Sequence, residues 1–133
     1  MGEKELRAVF YARVSTEEEE QLNAIEKQIE ENREVIRSKG WILVDEYIDK
    51  GITGTQAKKR NEYLRMLDDI KKDKFDLIVV KDQSRLQRNT MDWYIFLNDI
   101  VQNQKKLYLY LENTFFDPKD KLIFGIKAMM AEE

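Results

Sequence analysis

The chain has 133 residues, 42% hydrophobic and 37% charged, a net charge of −3, one proline, five glycines, and neither cysteine nor histidine. That is enough to bury the core of one domain and hardly of two, since a domain takes roughly 100 to 150 residues. Without cysteine and histidine, disulfides, thiol chemistry, Ser-His and Cys-His catalytic pairs and the commonest metal ligand are excluded, so any chemistry must use carboxylates, lysines, arginines, tyrosines and hydroxyls.

In chain order, "MGEKELRAVFYARV" lacks signal-peptide architecture, and no apolar run approaches the roughly 20 residues of a membrane span, so a soluble cytoplasmic protein is expected. "LRAVFYARV" is apolar, rich in β-branched and aromatic residues, and reads as a buried strand ending at Ser15-Thr16. A helix is predicted over 17–39, with Leu22, Ile25, Ile29 and Ile36 on one face and Lys39-Gly40 as its stop. "WILVDEYID" is a second strand, and "KGITGTQAKKR" a long loop that could be mobile. Tyr63, Leu64, Leu67 and Ile70 predict a helix from Asn61 to Lys72, and "FDLIVVKD" a buried central strand. After "QSRLQRN", Thr90 can cap a helix to about residue 103 with Trp93, Phe96, Leu97 and Ile100 inward. "KKLYLYLEN" supplies a fourth strand. From Pro118 a last helix carries Leu122, Ile123, Ile126, Met129 and Met130, a pattern still running at the end of the sequence, as expected of a shortened chain.

Strands alternating with helices imply a three-layer α/β/α fold with a mainly parallel sheet of four to five strands. In such folds ligands sit beyond the C-terminal ends of the strands. Two segments occupy that position, "RVST" after the first strand and "KDQSRLQR" after the third, and they are neighbours if those strands pair.

Charge is unevenly placed. Residues 1–35 hold five basic and ten acidic side chains, whereas residues 56–90 hold ten basic and six acidic ones, which leaves room for a local anion site. Ser15 or Thr16 followed three residues on by glutamate is a capping box, and on that pattern alone a structural cap is favoured. Arg13 adds a second reading, because it lies two residues upstream on the same side of the strand. Lys81, Arg85 and Arg88 fall within eight residues, and a planar guanidinium can bind two phosphate oxygens at once. Most basic clusters are solvated surface; the strand-end placement is what sets this one apart.

Taken together, these segments resemble the catalytic domain of serine recombinases, the resolvase and DNA-invertase family that includes large integrases and transposases. The resemblance spans essentially the whole chain, read as one domain over 1–133. "YARVST" matches the nucleophile segment, which implies Ser15 as the attacking serine with Arg13 beside it; Gln28 matches a recurrent glutamine on the following helix. Asp49 in "YIDKGITG" and Arg60 in "KKRNEYLRML" match further family positions. "VVKDQSRLQRN" maps Arg85 and Arg88 onto the two arginines of the Asp-Arg-Leu-x-Arg element, and Glu132 fits the acidic position at the start of the family's long exit helix. Where many members carry aspartate before the first of those arginines, this chain has Ser84, with Asp82 two residues earlier. The serine form resembles a variant of larger, transposon-type members, and it leaves open which group protonates the departing 3′ oxygen.

The resemblance implies a resolvase-like fold and cleavage of a DNA phosphodiester by Ser15 through a 5′-phosphoserine link, with Arg13, Arg60, Arg85 and Arg88 stabilising the phosphate and Gln28 and Asp49 orienting arginines. Asp49 and Asp82 remain alternative proton acceptors. No nucleotide or metal motif is present, so no cofactor and no metal are expected. Expected partners are double-stranded DNA and further copies of the chain, as a dimer and a synaptic tetramer in the full-length protein, whose exit helix and DNA-binding domains would lie beyond this segment. Glu17 to Glu20 would repel a phosphate and are expected to face solvent from a loop poorly ordered without DNA. Two other functions compete: a non-enzymatic α/β regulatory or assembly module, which Ser84 favours, and a serine hydrolase with a lysine base, disfavoured because Ser-x-x-Lys and Gly-x-Ser-x-Gly patterns are missing.

Overall fold

The computed structural model describes residues 5–13, 20–50, 61–86 and 89–117. Their elements follow the alternation expected: β1 (Arg7–Arg13), α1 (Glu20–Ser38), β2 (Ile42–Asp49), α2 (Asn61–Ile70), β3 (Leu77–Val80), a 3-10 turn (Gln83–Arg85), α3 (Thr90–Gln102), β4 (Lys106–Leu109) and β5 (Thr114–Phe116). The sheet order is β2-β1-β3-β4-β5. β1 pairs in parallel with both β2 and β3, β3 pairs in parallel with β4, and β5 returns antiparallel to β4. The "KKLYLYLEN" strand therefore ends at Leu109, and residues after it turn back to form a fifth strand that its apolar run does not announce.

Strand alternation divides the core into two layers. Val9 and Tyr11 of β1, Ile78 and Val80 of β3, and Leu107 and Leu109 of β4 face α2 and α3, meeting Tyr63, Met66, Ile70, Trp93, Phe96, Leu97 and Ile100. Ala8, Phe10 and Ala12 of β1, Leu77 and Val79 of β3, and Tyr108 of β4 face α1, meeting Ile25 and Ile36. β3 is buried along its whole length, as its continuous apolar run requires when both faces are covered.

Three local readings are corrected. Leu64 is 60% exposed and Met66 is buried in its stead, because the inward stripe of α2 runs 63, 66, 70 and not through 64. Asn89, not Thr90, caps α3: its side chain accepts from the Asp92 amide at 2.8 Å, and Thr90 is already the first helical residue. The helix predicted to reach 72 ends at Ile70. The stop at Gly40 stands: its φ of +76° lets the Trp41 N–H donate to the Ile36 carbonyl at 3.1 Å and the Gly40 N–H to the Arg37 carbonyl at 3.1 Å. No helix among the described residues is long and apolar enough to cross a membrane.

Candidate functional site

With strands in the order 2-1-3-4, the chain leaves β1 toward one edge and later crosses to β3 on the other side. The crevice beyond the C-terminal ends of β1 and β3 is the switch point where such sheets bind ligands. Arg13 ends β1 there, and the turn carrying Asp82, Ser84 and Arg85 follows β3. The two arginines interlock. Arg13 donates through Nε to the Arg85 carbonyl at 3.1 Å and through Nη2 to the Ser84 carbonyl at 2.8 Å, while Arg85 Nη1 donates to the Arg13 carbonyl at 3.1 Å. Each guanidinium is thus anchored on backbone carbonyl dipoles of the segment that bears the other.

Gln28 supports this pair from the other face of the sheet. Only 3% exposed, it accepts from the Arg13 amide through Oε1 at 3.1 Å and donates through Nε2 to the Arg13 carbonyl at 3.2 Å. It orients Arg13 through the backbone and does not touch the guanidinium in these bonds. Asn32, one turn further on, is fully buried and donates to the Gln28 carbonyl at 2.9 Å. Its burial follows from the four-residue spacing to Gln28, a signal present in the helical pattern.

Asp82 is the cap of the 3-10 turn: its Oδ1 accepts from the Ser84 amide at 2.9 Å and also from the Ser84 hydroxyl. A carboxylate and a hydroxyl are therefore joined in the turn that follows β3. Asp49 has a different environment. It ends β2 in register with Arg13, yet its carboxylate accepts from the Tyr11 hydroxyl at 2.7 Å and from the Glu62 and Tyr63 amides at 3.0 and 3.1 Å. Among the described residues, the bonds at Asp49 secure the first turn of α2 and the Tyr11 phenol. Tyr11 lies two residues before Arg13 on the same side of β1, so strand alternation places it in this group.

On the α1 side of the crevice, Tyr110 donates its hydroxyl to Glu31 at 2.8 Å. Burial first, then the Glu31 hydrogen bond, push the ionisation of this phenol well above its ordinary range. No sequence pattern marks this pair. Ser15, Thr16, Glu17 to Glu19, Arg60, Arg88, Met129, Met130 and Glu132 lie outside the described residues, as does the predicted helix from Pro118, and nothing is described of the Glu20 side chain. Among the described residues, no group of three or more acidic side chains is arranged to hold a metal ion.

The model for the resolvase N-terminal domain matches residues 8–133. A resolvase family site-specific recombinase from Streptococcus pneumoniae is similar at 27% identity, with 96% of this chain and 87% of that one covered and a TM-score of 0.78. The N-terminal catalytic domain of TP901-1 integrase shares the fold at 24% identity, with 95% of each chain covered and a TM-score of 0.73. The C-terminal catalytic domain of ISC1926 TnpA, an IS607-like serine recombinase, does so at 24% identity over 78% of this chain and 68% of that one, with a TM-score of 0.66.

Proposed function

Because the chain belongs to the resolvase N-terminal domain family, we propose that it is a serine recombinase catalytic domain that cuts and rejoins double-stranded DNA through Ser15. The Ser15 oxygen attacks a backbone phosphorus in line, the bond to the 3′ oxygen breaks, and a 5′-phosphoserine ester holds the cut end. Attack by a 3′ hydroxyl on that ester reverses the step and reseals the strand. One phosphate ester replaces another, so no nucleotide is consumed.

The observation that carries this reading is the interlocked Arg13 and Arg85 at the ends of β1 and β3. Guanidinium forks held in advance lower the cost of the extra charge on a phosphoryl transition state, the work that metal ions do in many nucleases. Arg60 and Arg88 join them in this proposal, and Gln28 positions Arg13. In this proposal Asp82 with Ser84 delivers a proton to the departing 3′ oxygen, a reading supported by the carboxylate–hydroxyl pairing in the turn that also carries Arg85. The proposal includes assembly of copies into a dimer and a synaptic tetramer, with Glu132 in the acidic position that the family resemblance gives it, and action within the cytoplasm.

The test is to incubate the protein with a suicide duplex, nicked so that the cleaved end is lost, and to look for a covalent protein-DNA adduct. The wild type should form it, Ser15→Ala should not, and Arg85→Ala should form it at least about a hundredfold more slowly, the scale set by loss of one preorganised oxyanion donor. A wild type that binds DNA but never forms the adduct would leave the non-enzymatic module as the better account.

A further inference from the structure

We propose that Glu31 and Tyr110 form a positioning pair that holds α1 against the turn carrying Arg85, and so sets the geometry in which Arg13 and Arg85 meet a DNA phosphate. The inference rests on the recombinase reading above and deepens it.

The contacts form a closed ring around the crevice. Starting from Arg13, Gln28 binds both its amide and its carbonyl, which fixes α1 to the end of β1. Three residues along α1, and so on nearly the same face, Glu31 accepts from Tyr110. The Tyr110 amide donates to the Val80 carbonyl at 3.0 Å and the Leu111 amide to the Lys81 carbonyl at 3.0 Å, so Tyr110 is registered against the two residues that lead into the Asp82–Arg85 turn. That turn then returns to Arg13 through the Ser84 and Arg85 carbonyls. Glu31 with Tyr110 is the link that closes the ring across the α1 face of the sheet, between residues 79 apart in sequence.

Apolar contacts from Ile25, Ile29 and Ile36 hold α1 on the sheet but are non-directional and do not define its rotation or slide. Hydrogen bonds do, because they weaken steeply with misalignment. Around Gln28 this interface is polar, with the fully buried Asn32 bonded to the Gln28 carbonyl, so directional bonds carry more of the alignment here. The phenol also lies within electrostatic reach of both Arg85 and Asp82, and its raised ionisation keeps it a donor to Glu31 at any working pH. A shift of α1 moves Gln28, and with it the hydrogen bonds that hold the Arg13 backbone, relative to Arg85.

The experiment is single-turnover adduct formation on the suicide duplex at saturating DNA, with DNA affinity and thermal midpoint measured alongside. Tyr110→Phe and Glu31→Ala should each slow adduct formation about tenfold, as expected of a displacement well under an ångström, with affinity within about twofold of wild type. Glu31→Gln, whose amide oxygen can still accept from the phenol, should recover most of the rate. The Tyr110→Phe/Glu31→Ala double variant should be no slower than either single one, because the same link is broken. A Tyr110→Phe variant as fast as wild type, losses that multiply in the double variant, or rates that simply follow the thermal midpoint would overturn the proposal alone. A wild type that forms no adduct would overturn the recombinase reading and this proposal with it.

Discussion

Replacing Asp49 by alanine removes one acceptor from three donors: the Tyr11 hydroxyl at 2.7 Å and the Glu62 and Tyr63 amides at 3.0 and 3.1 Å. Tyr11 is fully buried and Asp49 half-buried, so water entering the vacated space replaces the carboxylate only in part, and losing such an acceptor costs about 1–3 kcal/mol. The two amides belong to the first turn of α2, where loss of a capping acceptor costs about 0.5–2 kcal/mol and water can compensate in part. Together Asp49→Ala should destabilise the fold by about 2–4 kcal/mol. For a chain of this length that lowers the thermal midpoint by roughly 6–15 °C.

Urea unfolding followed by circular dichroism measures the loss, with Tyr11→Phe and the Tyr11→Phe/Asp49→Ala double variant as controls. Tyr11→Phe alone deletes the hydroxyl and leaves Asp49 its two amides, so it should cost about 1 kcal/mol. In the double variant the hydroxyl and its acceptor go together, and the total should fall short of the sum of the single effects by about 1 kcal/mol or more. An Asp49→Ala variant within about 0.5 kcal/mol of wild type, or strictly additive effects, would refute the reasoning. A stable but inactive Asp49→Ala would make the carboxylate a chemical group and not a helix anchor.

Two further outcomes test the frame around the site. Asp69 is 2% exposed; burial alone would raise its pKa, but hydrogen bonds from Tyr47 at 2.8 Å and Lys74 at 3.2 Å outweigh burial and hold it below its ordinary value. The stabilisation is therefore complete above the unfolded-state pKa of about 4 and disappears as pH falls through the lower folded-state value. Urea unfolding between pH 6 and 2 should show that fall, and Asp69→Asn should flatten it; parallel curves for the two proteins would contradict the assignment. Gly40→Ala should cost about 1 kcal/mol, because its φ of +76° strains any residue with a Cβ although the surrounding space is open. Unchanged stability would show that the turn after α1 can be remade.

What the sequence determined by itself was the strand-helix alternation through β4 and which strand ends lie side by side. Continuous apolar runs at 77–80 and around Arg13, the inward stripe of α1 and the glycine at 40 act over a few residues, and that is the range over which periodicity and turn preference operate. Arg13, Asp82, Ser84 and Arg85 were legible as a group because a parallel sheet delivers strand ends to one edge, whereas Gln28, in the middle of α1, was marked only by the family resemblance. Tertiary structure alone decided what those residues touch. Asp49 bonds the first turn of α2 and Tyr11, Gln28 bonds the backbone of Arg13, and Tyr110 finds Glu31 across 79 residues of chain. β5 escaped the pattern because three residues are too few to show alternation. The physical reason is the same in each case: periodicity records which face a residue presents, whereas a directional bond between distant residues depends on how the layers stack, and no local pattern carries that information.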